Sequence, residues 1–166
     1  WGTVLRTSNA GKTWINCSPY SAPNVPGSTV AFLKIVFKPD NKTGWVIGRS
    51  GTIFKTYDGG NRWIRVRIRT HSDINDIHFF KDYTTVRIFT DDDEIYESTD
   101  EGKNWIEIDN DYDLKGISVG DNSFIGYGSG GGVYLYSKAV NKFIDISWKI
   151  DDETNYSNIK DVKYNS

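Results

Sequence analysis

The densest run of chemistry-bearing side chains is Asp91-Asp92-Asp93-Glu94. Consecutive carboxylates suit a hard divalent cation, which takes several oxygen ligands. Paired acids also suit glycoside hydrolysis, where two carboxyl groups flank the scissile bond. The run lacks the glycine-punctuated ligand spacing of a calcium loop, and a solvated acidic turn accounts for it more simply. Arg65, Arg67 and Arg69 form a second group. Their alternation puts three guanidinium groups on one face of an outermost strand, with Arg62 extending the patch from the turn. Such a stripe suits docking of carboxylates on an acidic partner; it also suits protection of a sheet edge. His71 and His78 are the two histidines, and without a nearby cysteine or second local histidine they make no zinc ligand set. No nucleophile elbow is present. Gly128, Gly130, Gly131 and Gly132 are not followed by the Lys-Ser/Thr pair of a phosphate loop. Neither a metal nor a cofactor is expected.

What positions these groups is an internal repeat. Thr7-Ser8-Asn9-Ala10-Gly11-Lys12-Thr13-Trp14 aligns without gaps with Thr56-Tyr57-Asp58-Gly59-Gly60-Asn61-Arg62-Trp63 and with Ser98-Thr99-Asp100-Glu101-Gly102-Lys103-Asn104-Trp105. Each reads Ser/Thr-x-Asp/Asn-x-Gly-x-x-Trp, and successive copies stand roughly 40 to 50 residues apart. A worn fourth copy runs over residues 136–143, with Phe143 at the Trp position. Short alternating runs flank each copy, so the box is the turn of a β-hairpin. Thr7, Asn9, Gly11 and Trp14, then Thr56, Asp58, Gly60 and Trp63, then Ser98, Asp100, Gly102 and Trp105, are read as structural. The Asx oxygen accepts N–H groups of the turn, the glycine takes a positive φ, and the Trp is expected to return into the layer between sheets.

Two further strands precede each hairpin, at residues 30–38 and 44–49, at 74–80 and 86–90, and at 114–119 and 124–128. Four strands in roughly 40 residues is the size of a propeller blade. The fold class is therefore all-β, a β-propeller of four-stranded antiparallel blades. The expected division is a hairpin at 1–18, blades at 28–69, 72–109 and 113–147, and a partial blade at 158–166. The chain opens on a third strand and holds no methionine, so a fragment of a larger propeller is expected, with a closed four-blade ring as the alternative.

Blade geometry puts the boxes at one end of the sheets. Loops between second and third strands, and the links between blades, lie at the other end, where binding usually takes place. The candidates there are Arg49 and Ser50, Asp91 to Asp93, and residues 129–132, with links at 18–28, 69–72, 109–113 and 151–158. His71 lies in one of these links. Tyr20 and Tyr112 suggest a carbohydrate-binding alternative.

Composition excludes several classes. A net charge of −2 offers no basic field for nucleic acid. No apolar run approaches the ~18 residues of a membrane helix. The single cysteine, Cys17, allows no internal disulfide.

The boxes resemble the Asp-box, or bacterial neuraminidase repeat, of sialidases and related propellers. The stretch from Gly44-Trp45-Val46-Ile47-Gly48 through Gly51-Thr52-Ile53-Phe54-Lys55-Thr56-Tyr57-Asp58-Gly59-Gly60 to Trp63 is similar to the repeat of the photosystem II stability/assembly factor family. That resemblance covers one blade well and two partly. It implies a non-enzymatic propeller of about seven blades that assists assembly of other proteins, with a protein partner and an extracytoplasmic location. A sialidase-like or other Asp-box glycoside hydrolase is the alternative. The Arg-Ile-Pro motif of sialidases does not occur, since Arg67-Ile68-Arg69 and Arg87-Ile88-Phe89 lack the proline.

Overall fold

Alternating apolar and polar residues, punctuated by Asp-, Gly- and Thr-rich turns, fold locally into antiparallel meanders. A computed structural model describes residues 2–19, 30–108, 114–119, 124–128, 132–137 and 142–146. The strands are β1 (Leu5–Arg6), β2 (Ile15–Asn16), β3 (Phe32–Phe37), β4 (Gly44–Gly48), β5 (Thr52–Thr56), β6 (Ile64–Arg65), β7 (Ile74–Phe79), β8 (Val86–Thr90), β9 (Ile95–Ser98), β10 (Ile106–Ile108), β11 (Leu114–Val119), β12 (Phe124–Gly128), β13 (Val133–Ser137) and β14 (Lys142–Asp145). They form a hairpin, β1-β2, and three four-stranded sheets in the orders β3-β4-β5-β6, β7-β8-β9-β10 and β11-β12-β13-β14. Neighbours in each sheet follow one another in sequence, which requires only short connections.

The chain divides into two compact units, Trp1–Ile77 and His78–Ser166. In the first, β4 is buried along its whole length. It runs between β3 and β5, with Val46 opposite Ile35 on one side and Phe54 on the other. Trp45, Ile47 and Ile53 are fully buried, and Val4, Val46 and Phe54 form a core cluster that Phe32 and Trp63 pack against. In the second unit, Phe89, Ile95, Leu114 and Ile117 make the corresponding cluster, with Tyr134 and Phe143 against it. The outer strands β2, β6 and β10 are short and largely exposed.

Buried charges are handled by aromatic faces. The Lys55 ammonium, in a side chain left 3% exposed, lies 4.5 Å from the Trp45 ring centre and 4.6 Å from that of Tyr57. Stacking of this kind favours a desolvated cation. At the equivalent place in β8 and β9, Arg87 donates to Glu97 at 2.6 Å and lies 5.0 Å from the Phe80 ring.

Trp14 departs from the expected pattern. It is 59% exposed rather than buried between sheets. Trp63 is covered by the neighbouring Phe37 ring and the Val4 cluster, whereas β1 and β2 pair only with each other among the described residues. Trp63 also departs in one respect: its buried Nε1 makes no bond to a carbonyl of its own turn, whereas Trp105 Nε1 donates to the Gly102 carbonyl at 3.2 Å.

Trp45 is the deepest large side chain of the first unit. Trp45→Ala is expected to cost about 3–5 kcal/mol in urea-induced unfolding. A loss below about 0.5 kcal/mol, the range of a surface substitution, would contradict the core assigned to it.

Candidate functional site

The two ends of the sheets differ in how their polar groups are used. At the box end the Asp, Asn, Ser and Thr oxygens of the three boxes accept N–H groups of their own turns. Thr56 Oγ1 donates to Asp58 Oδ1 at 2.8 Å and accepts from the N–H of Gly60 at 3.0 Å, while Asp58 Oδ1 accepts the Arg62 N–H at 2.9 Å. Ser98 and Asp100 repeat this: Ser98 Oγ accepts the Gly102 N–H at 2.7 Å, and Asp100 Oδ1 accepts the N–H groups of Lys103 and Asn104. In the first box Thr7 Oγ1 accepts the Gly11 N–H at 2.9 Å and Asn9 Oδ1 accepts the Thr13 N–H at 2.9 Å. Two consecutive residues have positive φ in each turn: Ala10 and Gly11, Gly59 and Gly60, Glu101 and Gly102. Only the second is always glycine. A Cβ on Gly60 would sit 3.3 Å from the Trp63 ring, which closes over the turn.

The box also grips its neighbour. The Gly59 N–H donates to the Lys42 carbonyl at 2.9 Å, and the Glu101 N–H to the Thr84 carbonyl at 2.8 Å. These acceptors belong to a second repeated turn that the sequence reading passed over. Asp40 Oδ1 accepts the N–H groups of Lys42 and Thr43, and Asp82 Oδ1 those of Thr84 and Thr85. Asn41 and Tyr83 hold positive φ at matching places, 53° and 52°. The Asp-x-x-Thr pair at 40–43 and 82–85 recurs at the spacing of Trp63 and Trp105, and that shared spacing is the signal that marks it.

These bonds set the acidity of the carboxyls. The Arg62 N–H, then the Thr56 hydroxyl, lower Asp58 from its ordinary value. The Asn104 N–H and side-chain amide lower Asp100 to about 2. The Thr43 N–H lowers Asp40. Burial opposes the shift at Asp82 but is outweighed by the Thr85 hydroxyl and the Thr85 and Thr84 N–H groups.

At the opposite end the polar groups face outward. The turn between β4 and β5 holds Ser50 and Gly51 at positive φ, 52° and 63°. It is tied to the link that follows β6: Ser50 N–H donates to Asp73 Oδ1 at 3.0 Å, Gly51 N–H to the Ser72 carbonyl at 2.8 Å, and Arg49 Nε lies 3.4 Å from Asp73 Oδ2. Arg49 is thus brought beside the link that carries His71, and both side chains are exposed. Thr90 closes the turn between β8 and β9. Its N–H donates to the Glu94 carbonyl at 3.1 Å, and its hydroxyl accepts the Glu94 N–H at 3.0 Å. Asp91 and Asp92 are exposed on that turn, and Asp93 takes φ 64°. Among the described residues no group of three or more His, Cys, Asp or Glu is arranged to hold a metal ion.

The arginine stripe is shorter as a strand than its alternation suggests. Only Arg65 lies in β6; Arg67 and Arg69 follow it in chain without strand pairing. One further ladder bond, from the Val66 N–H to the Ile53 carbonyl at 3.0 Å, carries the extended course past β6. The alternation persists in exposure: Arg65, Arg67 and Arg69 are exposed, while Val66 and Ile68 are half-buried. The sequence reading also missed the ion pair between Lys34 on β3 and Asp76 on β7, because it joins residues far apart in the chain. Residues 20–28, 109–113, 129–131 and 151–158, Tyr20 and Tyr112 among them, lie outside the described residues, as does the partial blade at 158–166.

Antiparallel four-stranded sheets, with Asp boxes between the third and fourth strands of the β3–β6 and β7–β10 sheets and in the β1-β2 hairpin, define an Asp-box β-propeller protein. More narrowly, the chain belongs to the photosynthesis system II assembly factor YCF48 family, whose model matches residues 1–138. It is similar to the chloroplastic photosystem II stability/assembly factor HCF136 of Arabidopsis thaliana, with 31% identity over 107 residues, covering 62% of this chain and 25% of the relative. The same factor of Oryza sativa subsp. japonica is 29% identical over 108 residues, covering 62% and 24%. The chain thus spans about a quarter of these relatives' length. Among solved structures, YCF48 bound to D1 peptide matches with TM-score 0.60 at 21% identity, over 71% of this chain and 40% of that one. YCF48 from Cyanidioschyzon merolae matches with TM-score 0.58 at 23% identity, over 74% and 38%. An ancestral GH74 enzyme matches with TM-score 0.56 at 19% identity, over 79% and 19%. At these identities the structural matches establish the fold.

The lowered carboxyls make a signed prediction. A carboxyl whose folded value lies below its ordinary 3.8 contributes stability that is complete above that value and is lost as pH falls through the folded one. Stability is therefore expected to fall between pH 3.8 and about 2 through Asp100. In the Asp58→Asn, Asp100→Asn double variant the turn acceptors remain, as Asn9 demonstrates, and the fall over this range is expected to be shallower in denaturant titrations. An unchanged slope would contradict the role given to these hydrogen bonds.

Proposed function

We propose that this chain is part of a non-enzymatic propeller scaffold that binds an extended segment of another protein and assists its assembly, in an extracytoplasmic compartment. The observation that carries the reading is the exposed stripe of Arg65, Arg67 and Arg69 with half-buried Val66 and Ile68 between them. Its guanidinium groups offer forked donors to carboxylates along an extended partner. Arg49 and His71 add donors at the loop end of the same unit. Family membership supports an assembly role, and YCF48 bound to D1 peptide is a precedent for a peptide partner. A stripe serving only to guard the edge would have no partner to lose.

Charge reversal distinguishes the two. Arg65→Glu with Arg67→Glu is expected to weaken capture of an acidic extended peptide at low salt, and the difference is expected to shrink as salt screens it. Equal capture by both forms at low ionic strength would leave edge protection as the only role. The protein is also expected not to turn over a fluorogenic sialoside or glucan. Turnover abolished by changing Asp91 or Asp92 would overturn the non-enzymatic reading.

A further inference from the structure

The net charge of −2 is the sum of two unlike parts. Of the 20 Lys and Arg, eleven fall in Trp1–Ile77, against four of the 22 Asp and Glu; His78–Ser166 holds the other nine and eighteen. The first unit is therefore strongly basic by itself. Its four carboxylates are engaged: Asp40 and Asp58 accept turn N–H groups, Asp73 lies beside Arg49, and Asp76 pairs with Lys34. Arg62, Arg65, Arg67 and Arg69 are exposed. Such a field draws an anionic partner.

Cross-strand register shows what these arginines face. Arg65 stands opposite Phe54, and its guanidinium carbon lies 6.0 Å from the Phe54 ring centre. Phe54 packs in the Val4 cluster, with Cys17 and Trp63 against it. Arg65 is thus on the sheet face turned toward the β1-β2 hairpin, and alternation puts Arg67 on the same face. From the hairpin, Arg6 donates to Asn61 in the box between β5 and β6. Ile15 is the cross-strand partner of Arg6, so both project toward that sheet. The outer strands β2 and β6 therefore bound a trough. Ile15 and Arg6 form one wall, Arg65 and Arg67 the other, and Cys17 and Trp63 the floor. Ile15 is 64% exposed, and the isoleucine after the box aromatic is exposed in each four-stranded sheet too, 50% at Ile64, 60% at Ile106 and 46% at Ile144. The exposure thus belongs to this outer-strand position. The charge around it differs: Ile106 stands opposite Glu97 and is followed by Glu107, whereas Ile15 has Arg6 beside it and Arg65 across the trough.

We propose that this trough binds an extended acidic segment of another protein in which carboxylates alternate with apolar side chains. The proposal rests on the recognition role given above to the arginine stripe and adds a second, apolar wall to it. Side chains of an extended segment point alternately to opposite sides. Carboxylates two residues apart match Arg65 and Arg67, which have the same separation and offer forked donors. The side chain between them points the other way, toward Ile15 and the floor, where an apolar group gains by leaving water. Nucleic acid would meet the arginines through its phosphates, with no need of Ile15.

Two synthetic peptides of equal length and charge test this on the full chain, one alternating Glu with Leu and one alternating Glu with Ser. Affinity is measured at low salt, and the alkylation rate of Cys17, the chain's single cysteine, by N-ethylmaleimide reports from the floor. The Leu peptide is expected to bind about tenfold more tightly, the worth of roughly two buried methylenes, and to slow alkylation. Ile15→Ser is expected to abolish that preference, while Ile106→Ser, at an equally exposed site among glutamates, leaves it intact. Equal affinity for the two peptides, a preference that survives Ile15→Ser, or unchanged alkylation of Cys17 with the Leu peptide bound would each overturn the proposal. If Arg65→Glu with Arg67→Glu still weakens capture in those cases, the arginine stripe keeps its role and only the second wall is lost. Capture of neither peptide would overturn both readings. A thymidine oligonucleotide held as tightly as the Leu peptide, and indifferent to Ile15→Ser, would replace the peptide with a nucleic-acid partner.

Discussion

The interaction on which the rest depends is the capture of turn N–H groups by one short side-chain oxygen. Asp58 and Asp100 accept the N–H groups that a tight hairpin leaves without ladder partners, and Asn9 does the same without a charge. A buried or crowded turn cannot leave such donors unmet at small cost. Once the oxygen is fixed, the third strand enters at a set angle and the box aromatic leaves at a set position. The register of β5 against β6 and of β9 against β10 follows. The bond from Gly59 to Lys42, and that from Glu101 to Thr84, then tie this hairpin to the one before it. The β3–β6 and β7–β10 sheets are thereby each held at one end by two interlocked turns.

That division of labour is the ground on which recognition is proposed for the other end. Oxygens and N–H groups at the box end are spent on one another, so substitution there acts on stability. The loop between β4 and β5 and the link after β6 are tied to each other through Asp73 and Ser72, while Arg49, Arg65, Arg67 and Arg69 present exposed side chains. The assembly scaffold proposed above needs a rigid frame with exchangeable charges on its rim, and that proposal assigns the residues to those two groups. Buried cations such as Lys55 belong to the frame, because their charge is satisfied by the Trp45 and Tyr57 rings.

Much of this was legible in the chain because the determinants are local. Ser/Thr-x-Asp/Asn-x-Gly contains its own donors and acceptors within a few residues, so three copies sufficed to place hairpins and to infer the two strands before each. The Asp40 and Asp82 turns are equally local but rest on only two matched residues, Asp and Thr, and they emerge once the box spacing is imposed on them. Burial was less legible, since it depends on neighbours. Trp14 and Trp63 share a motif, yet Phe37 and the Val4 cluster cover one and leave the other 59% exposed. The Lys34–Asp76 pair joins two strands through space, which no periodicity encodes. The arginine alternation was visible, but the end of β6 at Arg65 was not, because it depends on the partner strand: β5 pairs with β6 at Phe54 and Lys55, and one more bond runs from Val66 to Ile53.

The most direct test of the central claim, a scaffold that recognises an extended partner away from its boxes, is residue-resolved binding. Backbone amide shifts of the folded chain, followed by NMR during titration with a synthetic acidic extended peptide, are predicted to move at Arg65, Arg67 and Arg69 and at the Arg49 turn, while Gly60 and Gly102 stay fixed. Shifts concentrated at the box turns, with the arginines unmoved, would contradict the account.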